Sequence, residues 1–108
     1  MKGQLGRFPT SARKICNFGA WVVGGAILDD DPKDIDLLIP WEHWPVVAAL
    51  IPQDARPTNL GGWRWDEDGV TIDVWPDRLS RLLSRPGILT EAWHPLTGTH
   101  VKSSKVKS

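Results

Sequence analysis

Apolar and polar positions alternate most sharply over residues 34–39, DIDLLI, where Ile35, Leu37 and Ile39 fall on one side and Asp34 and Asp36 on the other. A period of two predicts a strand with one buried face. The same period recurs in VTIDVW, residues 70–75, with Val70, Ile72 and Val74 on the apolar side and Thr71, Asp73 and Trp75 opposite. Asp68-Gly69 precedes this run and LGGWRW precedes the turn, so residues 60–75 read as a β-hairpin. AWVV, residues 20–23, reads as a buried strand that stops at Gly24-Gly25, with a short helical turn expected at AIL, residues 26–28.

Helical patterning fills the spaces between. TSARKICNF, residues 10–18, predicts a short helix with Thr10 or Ser11 as its N-cap and Gly19 just past its end. WEHWPVVAALI, residues 41–51, predicts a helix that tolerates Pro45 in its first turn. PDRLSRLLSR, residues 76–85, predicts an amphipathic helix with Leu79, Leu82 and Leu83 on one face. IPQDARPT, residues 51–58, reads as a connection, and AWHPLTGTHV, residues 92–101, as a small terminal hairpin. The expected architecture is an α/β or α+β domain over residues 1–101, a small mixed β-sheet flanked by helices, with residues 102–108 as a basic flexible tail.

Composition narrows the function classes. The chain has 108 residues, with 13 basic and 13 acidic side chains, so no global field steers it to nucleic acid or membrane. A lone Cys16 excludes an intrachain disulfide and suits a reducing compartment. The start, MKGQLGRFPTSARK, has no apolar stretch of the secretory kind, and no run is long enough to span a bilayer, so a cytoplasmic protein with no membrane partner is expected. The seven Trp exceed what one small core readily buries, which predicts a homodimer or a dedicated protein partner over some of the rings. Trp41 and Trp44, three apart at a helix start, and Trp93 in the terminal hairpin are the candidates for such a surface.

The chemistry concentrates in the carboxylates. Residues two apart on a strand share a face at roughly 6–7 Å, so Asp34 and Asp36 repel each other by about 2–3 kcal/mol at an effective dielectric near 20. A divalent cation would turn that cost into a binding site. If the strand carrying Asp73 neighbours residues 34–39, Asp73 joins them, and three carboxylates from two strands suit two-metal phosphoryl transfer. Asp73 is then also a natural proton acceptor for an attacking hydroxyl. Gly24 and Gly25 leave their backbone N–H groups open to a phosphate. Lys33 is a candidate phosphate contact or a plain counter-charge to Asp29, Asp30 and Asp31. Arg64, opposite Asp73 across a two-residue turn, is placed equally to meet a phosphate or to pair with an acid. Trp75 offers a base-stacking ring or simple packing, the three His show no metal spacing, and the tail lysines Lys102, Lys105 and Lys107 are a solubilising feature before they are a nucleic-acid contact.

VVGGAILDDDPKDIDLLI resembles the signature of the polymerase β-type nucleotidyltransferase superfamily: a glycine pair after a strand, a spacer, Asp-x-Asp in an apolar strand, and a third acid on a later strand. The wording is most similar to the head domain of CCA-adding enzymes and bacterial poly(A) polymerases. Over residues 18–76 the resemblance implies a nucleotidyltransferase-like core, dependence on Mg2+ (or Mn2+), and transfer of a nucleoside monophosphate from a nucleoside triphosphate to an acceptor, be it RNA, protein or a small molecule. By position, Gly24 and Gly25 match the glycine pair, Asp34 and Asp36 the metal pair, and Asp73 the third carboxylate, which makes these three Asp the expected catalytic and metal-holding residues. Ile27 and Leu28 stand where that family usually has an arginine and an acid, and the spacer is shorter. The size resembles minimal stand-alone members found in phage and mobile-element genomes. The rival expectation is an inactive protein of the same fold that binds a nucleotide or another protein.

Overall fold

The computed structural model describes residues 4–24, 31–84 and 90–103. Seven strands form one mixed sheet: β1 (Trp21–Val23), β2 (Asp34–Ile39), β3 (Arg56–Pro57), β4 (Trp63–Glu67), β5 (Val70–Pro76), β6 (Glu91–Trp93) and β7 (His100–Lys102). Their order across the sheet is β3-β4-β5-β2-β1-β6-β7. All neighbours are antiparallel except β2 and β5, which run parallel at the centre. The described residues also form three α-helices: α1 (Thr10–Cys16), α2 (Trp44–Ala48) and α3 (Leu79–Leu83). The chain is therefore mixed α+β, as its patterning predicts.

The central strands lie where alternation is cleanest. Ile35, Leu37 and Ile39 of β2 and Ile72 and Val74 of β5 are buried on one face, together with Val22, Trp65 and Trp93. Ala12, Ile15 and Cys16 of α1 and Val47 of α2 close that face. Each fully buried aliphatic side chain contributes about 1.5–3 kcal/mol. The turn between β4 and β5 has positive φ at both Asp68 (54°) and Gly69 (77°), the two-residue turn whose twist matches the strands. That turn sets Trp65 against Ile72 and Arg64 against Asp73.

The opposite face carries a second, smaller core. Val23, Leu38, Trp75 and Ala92 are buried there, with Leu79 and Leu82 of α3 packed over them and Trp21 and Val101 alongside. Gly62 belongs to the same close packing: a Cβ on it would stand 1.8 Å from the Val74 carbonyl oxygen and 2.7 Å from Trp75 Cα.

Several expectations need correction. Neither Thr10 nor Ser11 caps α1; Pro9 takes the N-cap position and no side chain caps the helix. The Ser11 hydroxyl instead donates to Glu67 Oε1 and accepts from Trp65 Nε1 at 3.2 Å, because a buried indole N–H needs a partner more than a solvated helix start does. The helix expected over 41–51 opens as a 3-10 turn, Trp41–His43, before α2, and α3 covers only the middle of 76–85. The connection at 51–58 contains an unforeseen edge strand, β3. Trp21 packs on the second core, with its ring edge-on to His94 at 4.8 Å, and Trp93 lies in the main core. Two cores cover six of the seven indoles at least in part, leaving only Trp41 at the surface, 57% exposed, which removes most of the aromatic surplus behind the expected dimer. The tail boundary after residue 101 falls inside β7, and Ser103 is buried with its N–H on the Thr90 carbonyl at 2.7 Å. The helical turn expected at 26–28 lies outside the described residues, as do 104–108. Among the described residues no helix is long and apolar enough to cross a membrane.

Candidate active site

The parallel pair β2–β5 decides where the carboxylates meet. Its register sets Asp36 directly beside Asp73 and Asp34 beside Thr71. Partners in a parallel pair project to the same side, about 4.8 Å apart, so all three Asp stand on one face. The parity that sends Ile35, Leu37 and Ile72 into the main core fixes this. β1 adds the fourth element: Val23 lies opposite Asp36, and Gly24 follows with φ +80°. A Cβ on Gly24 would stand 3.7 Å from Asp36 Oδ2, so the bare glycine keeps backbone next to the carboxylate. β4 supplies Arg64, whose Nε donates to Asp73 Oδ1 at 2.9 Å. These residues line one open groove of about 1390 Å³.

Asp36 bears the electrostatic load. Burial pushes its carboxyl above the usual carboxylate range; Asp73 and Asp34 push the same way, and Arg64 opposes them. Two carboxylates one strand apart repel by about 3 kcal/mol at an effective dielectric near 20, roughly what one buried isoleucine returns. Asp73 in turn holds the Arg64 guanidinium more firmly charged, mainly through their hydrogen bond.

A divalent cation suits this donor set chemically. The ligands are hard oxygens, and the unrelieved charge at Asp36 is the condition a cation removes. Arg64 supplies part of that relief at Asp73. Among the described residues, no three Asp, Glu, His or Cys side chains are grouped tightly enough to hold one ion in the orientations seen. Asp73 would share its carboxylate between Arg64 and a cation.

Of the residues singled out from the sequence, Gly24, Asp34, Asp36, Arg64 and Asp73 come together in the groove. Gly25 lies outside the described residues. Lys33 does not line the groove; its ammonium stands 3.8 Å from the Asp31 carboxylate, with both side chains largely exposed. Trp75 lines the groove's edge yet is buried in the second core, so packing takes its ring. Trp41 and Trp44 do not act as one surface, since Trp44 packs on the main core.

Comparison with family models, curated proteins and solved structures returns no match to this chain. Several groove residues escaped the sequence reading, Asp66, Glu91 and Arg56 among them. Arg56 lies in β3, directly opposite Arg64. The only available signal was Pro57 beside it, since a proline among extended residues is at home on an edge strand.

Proposed function

We propose that this chain is a minimal nucleotidyltransferase of the polymerase β type, moving a nucleoside monophosphate from a nucleoside triphosphate to an acceptor hydroxyl. The observation that carries the reading is the juxtaposition of Asp36 and Asp73 on adjacent parallel strands, with Asp34 on the same face and Gly24 against Asp36. Asp34, Asp36 and Asp73 are the residues that would hold Mg2+ or Mn2+, which when bound supplies charge neutralisation for the triphosphate and for the attacking oxygen. Backbone at Gly24 approaches the β and γ phosphates where no Cβ intervenes. The acceptor oxygen attacks the α-phosphorus, the bond from that phosphorus to the bridging β oxygen breaks, and pyrophosphate leaves. The acceptor proton passes to Asp73 Oδ2, because Oδ1 is already engaged by Arg64.

The Arg64–Asp73 bond also favours a second reading, in which the fold binds a nucleotide without turning it over. Incubation with α-labelled nucleoside triphosphates, Mg2+ and a crude extract separates the two. The enzyme reading predicts label on an acceptor, lost in Asp36→Asn. Melting that shifts with MgATP or MgGTP but gives no labelled product favours the binding module, and neither response would remove both.

A further inference from the structure

One lateral row of the sheet carries charges in an unusual order. Reading across from its edge, Arg56 of β3 faces Arg64 of β4, Arg64 faces Asp73 of β5, and Asp73 faces Asp36 of β2. The row thus runs two cations, two anions. Arg64 has a carboxylate partner through Nε alone. Among the described residues, Arg56 makes no ion pair, and its side chain is exposed in the same groove. Like charges placed directly opposite in an antiparallel pair destabilise it. Two arginines set opposite each other, one of them without an ion pair among the described residues, carry that cost with no counter-charge at Arg56.

An anion would supply that counter-charge. With Nε on Asp73, the two remaining nitrogens of Arg64 form the edge that meets a phosphate in bidentate fashion, and Arg56 adds a second fork beside it. Position says which anion. Gly24 is on the far side of Asp36, just past the end of neighbouring β1, whereas Arg64 and Arg56 are one and two strands beyond Asp73 in the other direction. The carboxylates therefore lie between two places suited to anions. A groove of about 1390 Å³ is also larger than the roughly 300–1,000 Å³ that one small ligand requires.

We infer that Arg56 and Arg64 form an anion subsite that takes a phosphate group of the acceptor, on the side of the carboxylates away from the nucleotide. The assignment of sides rests on the proposed nucleotidyltransferase reading. It selects acceptors that carry phosphate, either a polynucleotide backbone or a phosphorylated small molecule, over neutral hydroxyl compounds and protein side chains.

The test measures two probes on wild-type protein, Arg56→Ala, Arg56→Lys and Arg78→Ala. A fluorescent single-stranded oligonucleotide reports a polynucleotide source, and a nucleoside monophosphate a small-molecule source. MgATP-induced melting shifts are recorded in parallel. Loss of one guanidinium contact is expected to weaken the bound probe about tenfold and, for the oligonucleotide, to lower the salt slope by about one. Arg56→Lys should recover part of the affinity, Arg78→Ala, outside the groove, should match wild type, and the MgATP shift should not change. Binding of the oligonucleotide alone assigns a polynucleotide, and binding of the monophosphate assigns a small acceptor. No binding of either probe, equal loss in Arg56→Ala and Arg78→Ala, or an effect of Arg56→Ala on MgATP instead would overturn the subsite. A wild-type protein that ignores MgATP would sink the nucleotidyltransferase reading, while the phosphate subsite would still stand or fall on the other two probes.

Discussion

Asp36 and Leu38 sit two residues apart on one strand and project to the same face, yet their surroundings are opposite. Leu38 is fully buried under Leu79 and Leu82 of α3 beside Trp75. Asp36 opens into the groove beside Asp73. The same division separates Trp75 from Asp73 on β5. Among the described residues, a five-residue helix packs over one half of the face, and the other half lines the groove. The groove half can hold like charges because water and Arg64 reach it, and the covered half supplies the rigidity that keeps those charges in register. The proposed site lies at a boundary on one sheet face, between side chains packed under α3 and carboxylates in the groove.

Moving the boundary should have the largest effect. Leu38→Asp would put an unpaired carboxylate beneath α3, and we expect a loss of about 3–5 kcal/mol or more, a large part of the roughly 5–15 kcal/mol of an ordinary domain; urea denaturation would read it. Leu38→Ala, which leaves only a cavity, should cost about 2–5 kcal/mol and stay folded longer. Across the boundary, Gly24→Ala places a Cβ at φ +80° near Asp36 Oδ2. It should cost about 1 kcal/mol in melting experiments, with a larger loss of nucleotide affinity than of stability.

Asp36→Asn sharpens the comparison in the other direction. It removes the half-buried like charge, so the melting temperature should hold or rise while transfer is lost; a strongly destabilised variant would mark Asp36 as structural. The two halves should also answer pH with opposite signs. The folded carboxyl of Asp36 titrates above its ordinary 3.8, so its contribution to stability is full below that value and is lost as pH rises through the folded pKa. The gain in Asp36→Asn should therefore be present at neutral pH and fade toward pH 3.8. On the covered side, His94 stands edge-on to Trp21, its Nδ1 buried without a hydrogen-bond partner among the described residues. Burial, and then the nearby His43, lower its pKa below the ordinary 6.5. Its neutral form stabilises the fold above pH 6.5, and that contribution should be lost as pH falls through the folded value, an effect His94→Phe should abolish. This is the smallest of the expected shifts.

The sequence is most legible where one physical rule acts alone. Alternation at 34–39 and 70–75 and the Asp68-Gly69 turn specify two strands and the parity that puts Asp34, Asp36 and Asp73 on non-core faces. The opposition of Arg64 and Asp73 follows from the same turn. That β2 and β5 are neighbours required an assumption, because strand pairing across thirty residues leaves no local mark. The second core was hidden for a related reason. A period-two reading assigns the face opposite the core to solvent, so Leu38 gave no sign of a cover, and Trp75 allowed packing without showing that α3 supplies it. Arg56 was missed because β3 has two residues and no period to detect, Pro57 being its one local sign.

We propose that the juxtaposed carboxylates of β2 and β5 perform nucleotidyl transfer. The most direct measurement follows release of labelled pyrophosphate from γ-labelled nucleoside triphosphate, with Mg2+ and a cell extract as the source of acceptor. Wild-type protein is compared with Asp36→Asn, Asp73→Asn and, as a folded control outside the groove, Arg78→Ala. The account predicts release by wild type and Arg78→Ala and a loss of at least about a hundredfold in both aspartate variants, each still folded. Equal release by wild type and the aspartate variants, or none from any protein whose melting still responds to MgATP, would contradict it.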